Sequence, residues 1–182
     1  GVTVSLDTNY RSKLWSIDKA SHVIGELMRY TDICITNPGD IKDLFGIVSD
    51  KADFDLKKPD NEGAASVAEK LMKRYPLKGA ALTLRTNLSA SDNDFGAMLC
   101  GGEATVFSRK YRMHIADRVG GGDAFAAGLI YSLLKQKAPQ DAVEFATAAA
   151  VLKHSIEGDF NRVAAAEVEN LAGGDGSGRV QR

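Results

Sequence analysis

The chain has 182 residues, of which 44% are hydrophobic and 26% charged, and its formal net charge is −1. This composition is typical of one globular domain or a large piece of one. The nearly balanced charge gives no indication of a nucleic-acid or anionic-membrane partner, and the apolar stretches are too short to predict a membrane span. Cys34 and Cys100 lie far apart without a CxxC pattern, so we expect reduced thiols in a cytoplasmic protein.

The spacing of apolar residues predicts alternating strands and helices along the chain. Val2, Val4 and Leu6 alternate with polar residues and predict a buried first strand. Because this strand begins directly at the first residues of the sequence, we expect the chain to be a fragment. Further strands are predicted at 33–36, 81–85, 95–99, 104–107 and 111–115, and helices at 18–30, 40–45, 62–74, 122–136, 139–153 and 164–171.

This alternation indicates an α/β fold in which helices cover both faces of a mainly parallel sheet. In such folds, ligands bind beyond the carboxyl ends of the strands. The polar clusters that follow the predicted strands are therefore candidate site residues. These clusters span 8–11, 37–40, 85–93 and 117–123.

The stretch RVGGGDAFAAG, at 118–128, places three glycines and an aspartate directly before an apolar helix. The start of a helix exposes unpaired backbone N–H groups and carries a partial positive charge. Because Gly120, Gly121 and Gly122 have no side chains, the backbone could approach a phosphate or an oxyanion closely. Asp123, in the first turn, would stay ionised and could accept a proton from a hydroxyl group.

Other interpretations of this stretch remain open. The dinucleotide-binding pattern GxGxxG is not met, because Phe125 stands where the third glycine should fall. The GxxxxGK[ST] pattern of nucleoside-triphosphate P-loops occurs nowhere in the chain. A plain glycine-rich turn, in which Asp123 stabilises its own helix, is about as compatible with these four residues.

The longer stretch DRVGGGDAFAAGLIYSLL, from Asp117, resembles the C-terminal signature of the ribokinase-like (pfkB) carbohydrate kinases. Most of that family has a small residue, such as Thr or Pro, where this chain has Arg118. SLDTNYRSKLWS (5–16), LTLRTNLSASDN (82–93), KHSIEGDFN (153–161) and the closing SGRVQR resemble the 2-keto-3-deoxygluconate kinase branch, in which an arginine at 118 is at home. Together these segments cover almost the whole chain.

The resemblance implies a ribokinase-like three-layer α/β/α fold and an ATP-dependent kinase that converts 2-keto-3-deoxygluconate to its 6-phosphate. It implies that Asp123 is the base and that the turn Gly120–Gly122 is the anion hole. Asn37 and Asp40 would help to place Mg²⁺ through waters, although the family has Glu in place of Asp40. The residues that would bind the nucleotide are Asn37, Thr83, Arg85, Thr147 and Gly158.

Arg11 follows the first strand, where its planar guanidinium could meet a carboxylate. The branch resembled here uses the arginine of this motif for the acid group of its substrate, which implies that Arg11 is a substrate ligand. Each of these residues also has a structural interpretation. Arg11 and Arg85 could be surface arginines at strand ends, Asn37 could be a plain helix cap, and Thr147 could bond its own helix backbone.

Residues 1–172 are therefore expected to be the C-terminal part of a kinase domain, and 173–182 a glycine-rich tail. We expect the N-terminal half of the fold to lie outside this chain, with most sugar contacts and a β lid that forms homo-oligomers. A fructokinase- or ribokinase-type enzyme and a non-catalytic nucleotide-binding fragment remain as alternatives. The expected partners are a sugar acid and MgATP, without nucleic acid or membrane.

Overall fold

In the computed structural model, which describes residues 1–102 and 104–174, a sheet of six strands lies between two layers of helices. The strands are β1 (Ser5–Asp7), β2 (Ile33–Thr36), β3 (Gly79–Asn87), β4 (Asp92–Gly101), β5 (Ala104–Phe107) and β6 (Tyr111–His114). The helices are α1 (Ile17–Leu27, followed by a 3₁₀ turn at Met28–Tyr30), α2 (Pro38–Phe45), α3 (Asn61–Arg74), α4 (Gly121–Leu134), α5 (Pro139–Lys153) and α6 (Ala165–Ala172). None of these helices combines the length and apolarity needed to cross a membrane. From residue 175 on, the predicted tail and the closing SGRVQR lie outside the described residues.

The sheet is parallel on one side and antiparallel on the other. β1, β2 and β3 run parallel, because helical crossovers join each strand to the next. Only residues 88–91 join β3 to β4, which is too short for a crossover, so these strands pair as a long antiparallel hairpin. β5 and β6 then pair with the two ends of β4. This architecture confirms the predicted α/β class with helices on both faces.

Successive residues of the central strands alternate between two apolar cores. Cys34 and Ala80 belong to the core under α1–α3, whereas their neighbours Ile35 and Ala81 belong to the core under α4 and α5. α6 packs on the outside of α5. Both cysteines are buried and free, as predicted. Burial raises the pKa of Cys34 to about 12, so this thiol is unreactive at neutral pH.

The first strand is shorter and more exposed than the sequence predicts. It begins at Ser5, and the side chains of Val2 and Val4 are 89% and 44% exposed. The prediction of a buried strand is wrong because, within the described residues, β1 pairs only with β2 and is therefore an edge strand. β3 and β4 in turn extend beyond 81–85 and 95–99, because backbone pairing continues past the apolar run into polar residues.

The helices α4 and α5 approach each other closely at Gly128. A Cβ at this position would lie 3.0 Å from the Cα atom of Ala146 and 3.2 Å from the Cβ atom of Ala149. Because backbone lies directly opposite, the contact has no flexible side chain that could move aside. The spacing of these two helices therefore depends on a glycine here, and α4 carries the candidate site at its start.

We expect Gly128→Ala to lower the free energy of unfolding by about 1–3 kcal/mol, because the two helices must separate to admit the methyl group. Gly25→Ala in α1 is the matched control. Its methyl group would meet only the Tyr75 hydroxyl, at 3.7 Å, and should add about 0.5–1 kcal/mol through helix propensity. Urea unfolding of both variants measures the difference, and equal effects would contradict the assigned packing role.

Candidate functional site

A pocket of about 360 Å³ lies at the carboxyl ends of β1, β2 and β3. This is the edge at which parallel α/β sheets bind their ligands. Its wall brings together residues from all four polar clusters that the sequence singled out. The predicted site residues among them are Arg11, Asn37, Asp40, Thr83, Arg85 and Gly122.

Asp40 ties the end of β1 to the start of α2. Asn37 caps α2 by accepting the N–H of Asp40 at 2.9 Å, and Pro38 occupies the first helical position. The Oδ2 atom of Asp40 accepts the Thr8 hydroxyl at 3.1 Å and the Tyr10 N–H at 3.2 Å. Among the described residues, its Oδ1 atom has no hydrogen-bond donor. Thr8 and Tyr10 thus hold the Asp40 carboxylate through Oδ2 and leave its Oδ1 atom available to a ligand.

Among the described residues, the side chains by themselves do not form a metal site. Within residues 1–102 and 104–174, no three His, Cys, Asp or Glu side chains are placed to hold a metal ion. A Mg²⁺ ion in this pocket would need further oxygens from a ligand or from water, which suits an ion that keeps several of its waters. Asp40 offers its Oδ1 atom, and Asn37 offers the second lone pair of an Oδ1 atom that already caps α2.

The three glycines before α4 have three different surroundings. Gly120 has a φ of +78°, which favours glycine, and a Cβ there would overlap the carbonyl oxygen of Asp159. A Cβ on Gly121 would overlap the imidazole ring of His154. A Cβ on Gly122 would meet no atom within 4 Å, and this residue lines the pocket. The fold itself requires the first two glycines, whereas the third leaves open space in the pocket.

Two alanine substitutions separate these roles. We expect Gly121→Ala to lower the free energy of unfolding by about 1–3 kcal/mol, because the His154 ring must move. Gly122→Ala should change it by less than about 0.5 kcal/mol, but should weaken binding of pyrophosphate, because its methyl group occupies the open space. Urea unfolding and calorimetric titration measure the two effects. Similar destabilisation by both alanines would show that Gly121 and Gly122 do not have the different roles assigned to them.

A buried histidine under the glycine turn holds Arg85 at the pocket wall. His154 is fully buried, and its Nδ1 atom lies 2.6 Å from the carbonyl oxygen of Ala150, to which it donates. Its Nε2 atom therefore accepts a hydrogen bond from Nη2 of Arg85 at 3.0 Å. Burial lowers the pKa of His154 below its usual range, which keeps the ring neutral at neutral pH. Arg85 is thus positioned by an uncharged partner.

Asp7, at the end of β1, lines the pocket although it is not one of the predicted site residues. Desolvation by the surrounding protein raises the pKa of Asp7, and the negative charges of Asp123 and Asp40 raise it further. Asp123 itself is exposed in the first turn of α4 and is not among the residues that line the pocket, but it is near enough for its charge to act on Asp7. Asp7 could have been found from the sequence, because it is the polar residue at the carboxyl end of the predicted first strand.

Two predicted nucleotide ligands do not line this pocket. Thr147 is fully buried in α5, and its hydroxyl donates to the carbonyl oxygen of Val143 at 2.7 Å, which is the structural alternative considered above. Gly158 lies in the turn after α5 with a φ of +81°, and its N–H donates to the carboxylate of Asp117 at 2.9 Å. A role of Thr147 or Gly158 in nucleotide binding stays a prediction.

The fold and the pocket define an α/β protein whose ligand site lies at the ends of parallel strands and faces a helix that starts with glycine. Residues 2–162 match the pfkB family of carbohydrate kinases. The chain belongs to this family, as its sequence motifs predict.

Three relatives narrow this assignment. The crystal structure of 2-dehydro-3-deoxygluconokinase from Thermotoga maritima is 40% identical, with a TM-score of 0.88 over 96% of this chain and 51% of that chain. A PfkB family carbohydrate kinase from Listeria grayi is 32% identical, with a TM-score of 0.82 over 95% of this chain and 51% of that chain. A 2-dehydro-3-deoxygalactonokinase from Haloferax volcanii is 26% identical over 96% of this chain and 49% of its own length. These relatives confirm the predicted 2-keto-3-deoxygluconate kinase branch, and the chain spans about half their length.

Proposed function

We propose that the protein containing this chain transfers the γ-phosphate of ATP to a sugar acid, 2-keto-3-deoxygluconate, and forms its 6-phosphate. The observation that carries this proposal is one pocket in which Arg11, Asp40, Arg85 and the open position at Gly122 lie together. The names of the Thermotoga and Haloferax relatives support a 2-keto-3-deoxy sugar acid as the substrate class. Because those relatives are about twice as long, we propose that this chain supplies the nucleotide side, the base and one sugar ligand.

Asp123 would act as the base for the acceptor hydroxyl. In the proposed step, the 6-hydroxyl oxygen bonds to the γ-phosphorus while its proton passes to the Asp123 carboxylate. The bond from the phosphorus to the bridging oxygen breaks, and ADP leaves with that electron pair. Asp123 lies in the first turn of α4, at the end of the helix that carries a partial positive charge.

The phosphoryl group carries spreading negative charge during transfer, so positioning and charge stabilisation dominate catalysis. The free N–H groups at the start of α4 and the guanidinium of Arg85 would supply that stabilisation. Thr83, whose hydroxyl donates to the carbonyl oxygen of Thr36 at 3.4 Å, would contact the nucleotide phosphates beside them. Mg²⁺ would neutralise part of the charge of ATP, and Asn37 and the free oxygen of Asp40 would hold it through waters.

Arg11 would bind the carboxylate of the sugar acid. Its Nη1 atom donates to the carbonyl oxygen of Tyr10 at 3.0 Å, and the residue lines the pocket. A guanidinium has five N–H donors in a planar fork, so enough donors remain to bind a carboxylate with two hydrogen bonds. In the described part of the chain, Arg11 forms no ion pair that would compete with such a ligand.

The base assignment is tested by Asp123→Asn in the natural full-length protein. We expect binding of ATP to persist and kcat to fall by roughly 10²-fold or more, because only the proton acceptor is lost. Asp141→Asn is the matched control, since Asp141 likewise occupies the first turn of a helix, α5, but is not one of the candidate site residues. A kcat above about a tenth of the wild-type value in Asp123→Asn would show that another group takes the proton.

The substrate class is tested by Arg11→Ala, with Lys13→Ala as a control in the same loop. We expect the KM for 2-keto-3-deoxygluconate to rise about 10–150-fold while the KM for ATP stays nearly unchanged, because only a charge-assisted contact to the acid group is lost. Fructose, which lacks a carboxylate, serves as the comparison substrate. If Arg11→Ala impairs both sugars equally, Arg11 has a structural role and the sugar-acid proposal loses its main support.

A further inference from the structure

Arg118 lines the same pocket as Arg85 and Gly122. Hydrogen bonds hold both its backbone and the tip of its side chain. The preceding residue, Asp117, accepts the N–H groups of Val119 and Gly158, each at 2.9 Å, which holds the backbone around Arg118. The Nη2 atom of Arg118 donates to the carbonyl oxygen of Ala90 at 2.8 Å, in the hairpin between β3 and β4. The side chain is exposed to solvent but tethered at its tip.

Both arginines are held by acceptors that carry no charge. Arg85 donates to the neutral Nε2 atom of His154, and Arg118 donates to a backbone carbonyl. Within residues 1–102 and 104–174, no carboxylate lies within ion-pair distance of either guanidinium. The two positive charges are therefore positioned without being neutralised.

The two guanidinium groups also lie close enough to repel each other. The pKa of Arg85 falls below its usual range, first because the side chain is partly buried and then because Arg118 places a second positive charge nearby. Arginine stays protonated at neutral pH in spite of such a shift. Two like charges held together next to the positive start of α4 favour a ligand with several negative charges at this part of the pocket.

We propose that Arg118 is a second guanidinium ligand of the donor polyphosphate, so that Arg85 and Arg118 bind the terminal phosphates of a nucleoside triphosphate together. This inference rests on the proposed function, because it assumes that the donor is a nucleotide. It adds a residue that the family signature does not predict, since most of the family has a small side chain at this position. Two planar guanidinium groups suit phosphate oxygens because each can donate two parallel hydrogen bonds.

The test compares the affinities of ATP and AMP, both with Mg²⁺, for Arg118→Gln and Arg118→Lys by calorimetric titration of the natural full-length protein. We expect Arg118→Gln to weaken ATP binding roughly tenfold or more and AMP binding less than twofold, because AMP lacks the terminal phosphates. Arg118→Lys, which keeps the charge but loses the planar fork, should fall between Arg118→Gln and the wild type. Arg29→Gln is the matched control, because Arg29 is exposed and pairs with Glu26 on the surface.

The outcomes separate this inference from the proposed function. If the unaltered protein binds no ATP, both are overturned. If the unaltered protein binds ATP and both Arg118 variants bind ATP as tightly as it does, only the inference is overturned. Equal losses for ATP and AMP would also overturn it, because Arg118 would then merely tether the hairpin through Ala90. A loss confined to ATP, with an unchanged unfolding temperature, supports Arg118 as a phosphate ligand.

Discussion

The close contact between the start of α4 and the segment at and after the end of α5 determines the geometry of the glycine turn and of Arg85. Gly120 lies against the carbonyl oxygen of Asp159 and Gly121 against the ring of His154, so a side chain at either glycine would push the two segments apart. This contact sets where the free N–H groups of α4 point. It also holds the His154 ring, whose Nε2 atom in turn orients Arg85. The helix start and the guanidinium therefore depend on one packed imidazole, and a change at that ring alters both.

In the described part of the chain, no carboxylate of the site forms an ion pair with Arg85 or Arg118. Burial and the negative charges of Asp123 and Asp40 raise the pKa of Asp7, so both carboxylates lie near Asp7, whereas Arg85 and Arg118 lie close to each other. A phosphotransferase needs both kinds of group, because a carboxylate must accept a proton while cations stabilise the phosphoryl oxygens. If the carboxylates and guanidinium groups paired directly, each would neutralise the other and both roles would weaken. The neutral acceptors that hold the arginines keep the two sets apart.

The spacing of apolar residues predicted most helices and strands, but it could not predict contacts between residues that are distant in the sequence. α5 has the predicted ends, because Pro139 starts the helix and its apolar residues keep a helical spacing up to Lys153. For Val2 and Val4 the predicted burial is wrong, because alternating apolar residues indicate a strand but do not show whether a neighbouring strand covers it. In the site, the strand-end rule located Arg11, Asn37, Asp40 and Arg85. It could not show that His154 holds Arg85, because 69 residues separate them and the link exists only in the folded chain.

The sequence presents Gly120, Gly121, Gly122 and Asp123 as a single anion-binding motif, but the structure divides it. The first two glycines satisfy packing against α5, and only Gly122 opens toward the pocket. The two parts are linked through His154, which needs the space at Gly121 and accepts a hydrogen bond from Arg85 only while its Nε2 atom is unprotonated. Burial lowers the pKa of that ring, so the same packing that demands a glycine keeps the imidazole neutral. The shape of the glycine turn and the position of Arg85 thus have one physical origin.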